Sequence, residues 1–165
     1  MTLRITLDTN CFFDYFQRAP HVIQPLVEMA INGQIELAMT TRVMADTLDK
    51  WMGPGASPIW QQILTFPELK TIGSAFRLGT SRLGMGDYLV SDSDGKKNER
   101  IGEIMQGAQI EDVDHIFAHI IDNRDIFTTS DNHFLKHQEQ LKKEFGAIVL
   151  EPQDAIQEIR KRVNP

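Results

Sequence analysis

Leu3-Arg4-Ile5-Thr6-Leu7-Asp8-Thr9-Asn10 is the stretch whose reading decides the fold. Alternating, β-branched and apolar residues mark a short buried strand. The stretch ends on a carboxylate and two small polar residues, then runs into Cys11–Gln17 with helical spacing. In an open α/β sheet, ligands sit just beyond the carboxyl ends of the strands. Asp8 therefore occupies a position better suited to chemistry than to packing.

Working outward, Phe12, Phe13 and Phe16 give a compact helical face that Pro20 interrupts. His21–Ile31 resumes helical spacing and stops at Asn32-Gly33. Ile35–Met39 reads as a second strand. Thr40 or Thr41 then caps a helix lined by Val43, Met44, Leu48 and Trp51, closed by Pro54-Gly55. Ile59–Phe66 reads as a short helix and Leu69–Phe76 as a third strand. The glycine-rich, polar segment Gly79–Gly107 predicts a long mobile loop with a short helix around Arg100–Met105.

The last third is the most regular. After Asp112, the residues Val113, Ile116, Phe117, Ile120 and Ile121 form an apolar stripe at helical spacing, ended by Asn123-Arg124. Asp125–Thr128 reads as a strand carrying Thr129-Ser130-Asp131 at its carboxyl end. A helix over Asn132–Phe145, a strand over Ala147–Leu150 and a helix from Pro152 complete the chain. Alternating strand and helix predicts a three-layer α/β/α domain with a central, mainly parallel sheet, spanning 1–165 as one unit.

Composition sets limits. The 165 residues, 41% hydrophobic and 24% charged, suit one globular domain. No apolar run reaches the roughly 18 residues of a membrane span, and no signal peptide opens the chain. With Cys11 the single cysteine, no internal disulfide forms, and a cytoplasmic setting with no membrane partner is expected. A net charge of −6 argues against bulk attraction to nucleic acid, but not against a basic rim around an acidic centre.

Four acids fall at comparable places. Asp8 and Asp131 each end a strand on one rim of the sheet, Asp112 opens a helix, and Asp46 lies in the helix after the second strand. Any one of them could simply cap a helix. Several converging carboxylates on a rigid frame are, however, what a hard cation such as Mg²⁺ or Mn²⁺ requires. Without a cation they would repel and raise each other's pKa values.

Four segments, LRITLDTN (3–10), TRVMADTL (41–48), DVDHIFA (112–118) and FTTSDNHF (127–134), resemble in order the signature segments of the PIN-domain ribonucleases. The resemblance implies a parallel sheet between helices and hydrolysis of RNA by a water activated at Mg²⁺ or Mn²⁺. It implies Asp8, Asp46, Asp112 and Asp131 as the catalytic, metal-binding quartet. Thr129 or Ser130 would support a ligand or water, and Asn10 would steady the Asp8 turn. Many family members are toxins held by a small antitoxin, so RNA and an antitoxin protein are the implied partners, with a homo-oligomer left open. The departure is Asp46, where the family usually carries Glu: the carboxylate is withdrawn by about 1.5 Å, and Asp49 is the alternative in a shifted register. A catalytically degenerate RNA- or protein-binding module is the competing reading.

Other signals are weaker. His115 and His119 share a helical face with Asp112, but a zinc site lacks a nameable further ligand. Asp92-Ser93-Asp94-Gly95 begins like a calcium loop, yet Lys97 stands where glycine is needed. Cys11 and Arg18 are one residue too far apart for a Cys-x₅-Arg phosphatase loop, and no Gly-x₄-Gly-Lys-Ser/Thr is present. A receiver-like domain lacks its paired acids at the first strand. Arg77, Arg82, Lys96, Lys97 and Arg100, with Arg160-Lys161-Arg162, are the candidates for gripping a phosphate backbone. Trp51 and Trp60 read as core or interface anchors.

Overall fold

The strand Leu3–Leu7 (β1) is the middle of a five-stranded sheet. The computed structural model describes residues 2–47, 58–76, 86–87 and 89–163. Around β1 lie β2 (Ile35–Thr40), β3 (Leu69–Ile72), β4 (Ile126–Thr128) and β5 (Val149–Leu150), in the order β3-β2-β1-β4-β5. Every pairing is parallel, with Leu7 opposite Met39 on one side and Thr128 on the other. Parallel neighbours need long crossovers, and the helices between strands supply them. The α/β/α architecture with a parallel sheet is as expected.

The chain steps from β1 out to β2 and β3, then returns across β1 to lay down β4 and β5. The direction reverses between β1 and β4. Reversal points of this kind leave a crevice at the carboxyl ends of the strands. Asp8 follows β1 and Thr129 follows β4, so both stand, buried, at that edge of the sheet.

Alternation along the strands builds two cores. Ile5, Leu7 and Ile126 pack with α2 (Pro20–Ile31) and α9 (Pro152–Val163) through Ile23, Leu26, Ala155 and Ile159. Phe127 and Val149 face the other way, onto α5 (Asp92–Ile104), α6 (Ile110–Ile121) and Leu141 of α8 (Gln138–Phe145). Trp60, on the short helix α4 (Pro58–Ile63), lies in the first core. None of the described helices is long and apolar enough to cross a membrane.

Several local expectations change. The helical run does break at Pro20, which opens α2 after α1 (Thr9–Phe13), but the residues before the break, Asp14–Arg18, form a π-helical turn. Within the segment Gly79–Gly107, the short helix expected around Arg100–Met105 is present but begins eight residues earlier, as the 13-residue α5. Ser91 Oγ accepts the Asp94 N–H at 3.2 Å, and Asp92 and Asp94 occupy the first turn, where carboxylates favour a helix N-terminus. Ile101 and Ile104 then bury its other end. The calcium-loop start is thus the first turn of a helix. The helix expected over Asn132–Phe145 splits into α7 (Asn132–Leu135) and α8, with the His137 N–H turned back to the Phe134 carbonyl. The third strand stops at Ile72, and the final strand is shortened to Val149–Leu150. Expectations for Leu48, Asp49, Trp51, Pro54-Gly55, Arg77, Gly79, Arg82 and Gly84 fall outside the described residues.

The regular stripe of α6 is buried as read, with Val113, Ile116 and Phe117 in the second core. The helix is, however, buried on more than that face. Asp114, His115, Ala118 and His119 are also enclosed, because α6 lies against the sheet and against the short helix α3 (Arg42–Thr47) as well as α5.

Candidate functional site

The end of β1 and the turn after β4 are bound to each other. The Asp8 N–H donates to the Thr128 carbonyl at 3.0 Å, and the Cys11 N–H returns to the Asp8 carbonyl at 3.0 Å. Thr129 Oγ1 donates to Asp8 Oδ2 at 2.7 Å and accepts the Asp131 N–H at 3.0 Å. Asp8 is 3% exposed. Asp131 caps α7, its Oδ1 accepting the His133 N–H at 2.7 Å. Of the two candidate supports, Thr129 touches Asp8, whereas Ser130 Oγ donates to Asp14 Oδ2. Asn10 makes no side-chain hydrogen bond within the described residues, and the Asp8 turn is held by backbone bonds instead.

Asp112 stands in the first turn of α6, where its Oδ2 accepts the Gln109 N–H at 3.2 Å in a capping box. Parallel topology brings that turn to the carboxyl edge, since α6 runs back along the sheet before β4. Asp46, on α3, directs Oδ2 at two donors: Thr9 Oγ1 at 2.6 Å and His115 Nε2 at 2.9 Å. The other face of the His115 ring, Nδ1, lies 2.6 Å from Thr40 Oγ1. At Asp46, Asp112 and Asp131, the hydrogen bonds fall on one carboxylate oxygen and leave the second without a protein partner among the described residues.

The charges act on one another. Burial raises the Asp8 pKa, with Asp46 adding to the rise while His115, Thr129 and the Thr9 N–H oppose it. Burial also raises Asp112, and Asp8 and Asp131 push it the same way, against Gln109 and His115. For Asp46, burial pulls upward, but the His115 hydrogen bond and charge, then Thr9 and Arg42, hold it below the usual carboxylate range. His115 moves up: burial opposes its charge, and Asp46, Asp8 and Asp112 outweigh burial. The structure thus brings Asp8, Asp46, Asp112 and Asp131 into one electrostatic cluster, with an imidazole among them.

Among the described residues, no three His, Cys, Asp or Glu side chains stand as a ready-made metal cage. The donor set is nevertheless oxygen-rich and mutually repelling, a combination that a hard divalent cation relieves. The His115/His119 pair does not make a zinc site. His115 serves Asp46 and Thr40, while His119 Nδ1 meets Thr6 Oγ1 at 2.9 Å.

The basic candidates divide. Lys97 pairs with Asp94, and Arg100 pairs with Glu103 and Glu144, so their charge is largely answered locally. Arg160-Lys161-Arg162 end a helix that leaves the carboxyl edge and runs back along the sheet, which puts them at the opposite edge. Arg160 there shares a surface hollow with Met29 and Gln34. Sequence reasoning missed Thr9 and Thr40 as partners of this site, and missed His115 as the partner of Asp46. The available signal was spacing: His115 follows Asp112 by three positions, one helical turn, and so shares its face.

The fold and these strand-end acids define an α/β/α chain of the PIN-like architecture. No family model matches the chain, and no curated protein is similar to it in sequence. Among solved structures, it is similar to the crystal structure of VapBC2 from Rickettsia felis bound to a DNA fragment from the promoter. The TM-score is 0.57 at 13% identity, over 90% of this chain and 98% of the other. At that identity the likeness is one of fold, and it extends over nearly the whole length of both chains.

Proposed function

We propose that this chain is a metal-dependent endoribonuclease hydrolysing RNA phosphodiester bonds, with Mg²⁺ or Mn²⁺ held by Asp8, Asp46, Asp112 and Asp131. The observation that carries the reading is the cluster itself: four carboxylates at the β1/β4 reversal, of which Asp8 and Asp112 are raised by burial and by neighbouring carboxylates. A bound divalent ion would supply a water of lowered pKa and a positive clamp on phosphate oxygens. The residues of the chain do the rest. Thr129 fixes the orientation of Asp8 and ties it to the Asp131 backbone. Asp112 and Asp131 are held by the helix ends that they cap, so the rim of the site is set by secondary structure. The burial of Asp8 keeps bulk water from competing for its carboxylate.

An antitoxin protein is the proposed partner. The support is the family resemblance of the four segments together with a structural neighbour solved as VapBC2 on promoter DNA. A proposed setting in the cytoplasm goes with that pairing.

The test is cleavage of a structured RNA with Mn²⁺, with chelator, and with Asp8→Asn or Asp131→Asn protein. Asparagine also caps helices, so the second variant keeps α7. Cleavage that needs the metal and both acids supports the reading; cleavage indifferent to chelator or to both variants overturns it. A second reading, a binding module without catalysis, is favoured by one observation: Asp46 is committed to Thr9 and His115. In that case both variants retain RNA or partner affinity while the wild type cleaves nothing.

A further inference from the structure

Asp46 has a short side chain that is 25% exposed, on a helix of six residues. A carboxylate so placed would ordinarily rotate. Here it is held from two other elements at once, by Thr9 of α1 and by His115 of α6, and both bonds land on Oδ2. Oδ1 is left without a protein partner among the described residues. His115 cannot turn away: it is 1% exposed, and the Thr40 hydroxyl at the end of β2 holds its Nδ1 at 2.6 Å. An ionised carboxylate only accepts, so Nε2–H donates to Asp46. A line of contacts therefore runs from the sheet through the imidazole to the carboxylate: Thr40, His115, Asp46.

An apolar residue would fill the same interior space without the need to satisfy two ring nitrogens, whose burial unbonded would cost stability. The ring is instead satisfied at both ends, and its outer partner faces the acidic cluster. We propose that His115 is a positioning residue for Asp46: it fixes one oxygen of that carboxylate so that the other is presented to a divalent cation. The inference rests on the metal-binding reading above and adds to it the residue through which the second-strand side of the site is set. Groups that orient a ligand in this way typically govern metal affinity by 10- to 100-fold when removed.

Two measurements test it. The first is Mn²⁺ binding to the metal-free protein, read by the electron paramagnetic resonance of free Mn²⁺. His115→Leu should weaken binding by about tenfold or more. His115→Gln, whose amide N–H reaches about as far as Nε2, should stay within about threefold. In an Asp46→Asn background, His115→Leu should have little further effect, since coupled residues do not add. Equal affinity in wild type and a folded His115→Leu variant overturns the inference, as does a loss that persists undiminished in the Asp46→Asn background. Should His115→Leu fail to fold, Thr40→Val carries the same test, because it frees the ring while keeping its shape; unchanged Mn²⁺ affinity there overturns the inference.

The second measurement needs no metal. In the wild-type protein the His115 Nε2 proton should give a protected, downfield resonance that is lost in Asp46→Ala, which removes the acceptor. Its absence in the wild type overturns the inference directly. Wild-type protein that shows this resonance but binds no Mn²⁺ overturns the metal-binding reading, and the positioning role with it, by a different outcome.

Discussion

Thr129 and Asp8, 121 positions apart, meet through a single hydroxyl, Oγ1 donating to Oδ2 at 2.7 Å. The same oxygen accepts the Asp131 N–H, so Thr129 joins the two strand ends that frame the site. Thr129→Val keeps the shape and removes both bonds. It should destabilise the fold by about 1–3 kcal/mol, the range for a hydrogen bond to a charged, buried group, and weaken Mn²⁺ binding. Ser130→Ala, whose hydroxyl serves Asp14, should leave Mn²⁺ affinity unchanged. Denaturant titration and Mn²⁺ titration of the two variants side by side check the contrast.

Burying Asp8 has a cost that depends on pH. Its folded pKa lies above the ordinary 3.8, because burial outweighs the favourable neighbours. As pH rises from 3.8 through the folded value, the native state gives up its proton later than the unfolded chain, and stability falls. Asp8→Asn abolishes that cost. The variant should therefore be more stable than wild type at pH 7 in metal-free buffer, with the advantage disappearing below pH 3.8. Urea titrations across that range decide it; a variant less stable than wild type at pH 7 contradicts the expectation.

His119 acts with the opposite dependence. Burial, then the charges of Arg124 and Arg4, lower its pKa from 6.5 to about 3. The unfolded chain takes up this proton first, so native stability is full above 6.5 and is lost as pH falls toward the folded value. The loss runs at about 1.4 kcal/mol per pH unit. Glu36, lowered from 4.5 to about 2 by Lys70 and Arg124 against the pull of burial, adds its own loss only below 4.5. At pH 5, His119→Gln should thus lose about 2 kcal/mol less than wild type, each referred to its own stability at pH 7.

Arg42 and Asp114 are each 1% exposed and meet at 3.1 Å, joining α3 to α6. Asp87 lies 3.5 Å from the same guanidinium and also accepts the Ser74 N–H. Removing one member of a buried pair leaves the other's charge less fully answered. Arg42→Met or Asp114→Leu alone should cost about 3–5 kcal/mol, and the double variant should recover part of the loss. Thermal unfolding of the three proteins checks the non-additivity.

What could be read from the sequence follows from periodicity. β1, β2, β4 and the apolar side of α6 are set by short-range alternation or helical spacing, and they stand where the pattern put them. The strand-end position of Asp8 and Asp131 followed from the same pattern. The failures share one cause, long-range packing. Asp92, Asp94, Lys96 and Lys97 look like a solvated loop until Ile101 and Ile104 are seen to anchor α5 on α6. Asp114, His115 and His119 look like the polar side of an amphipathic helix, yet they are enclosed by α3, α5 and the sheet. No local pattern reveals that Thr9, Thr40 and His115 meet at Asp46, because the meeting depends on three crossovers.

The position of β4 has a consequence for how the protein is made. Until residues 126–128 emerge and insert beside β1, the growing chain carries β1 as an open parallel edge, with Asp8 lacking its hydroxyl partner. An unpaired edge of that kind is sticky, and a contact across 121 positions closes late in folding. An interrupted translation product would hold only part of the acidic cluster and would be prone to self-association through that open edge.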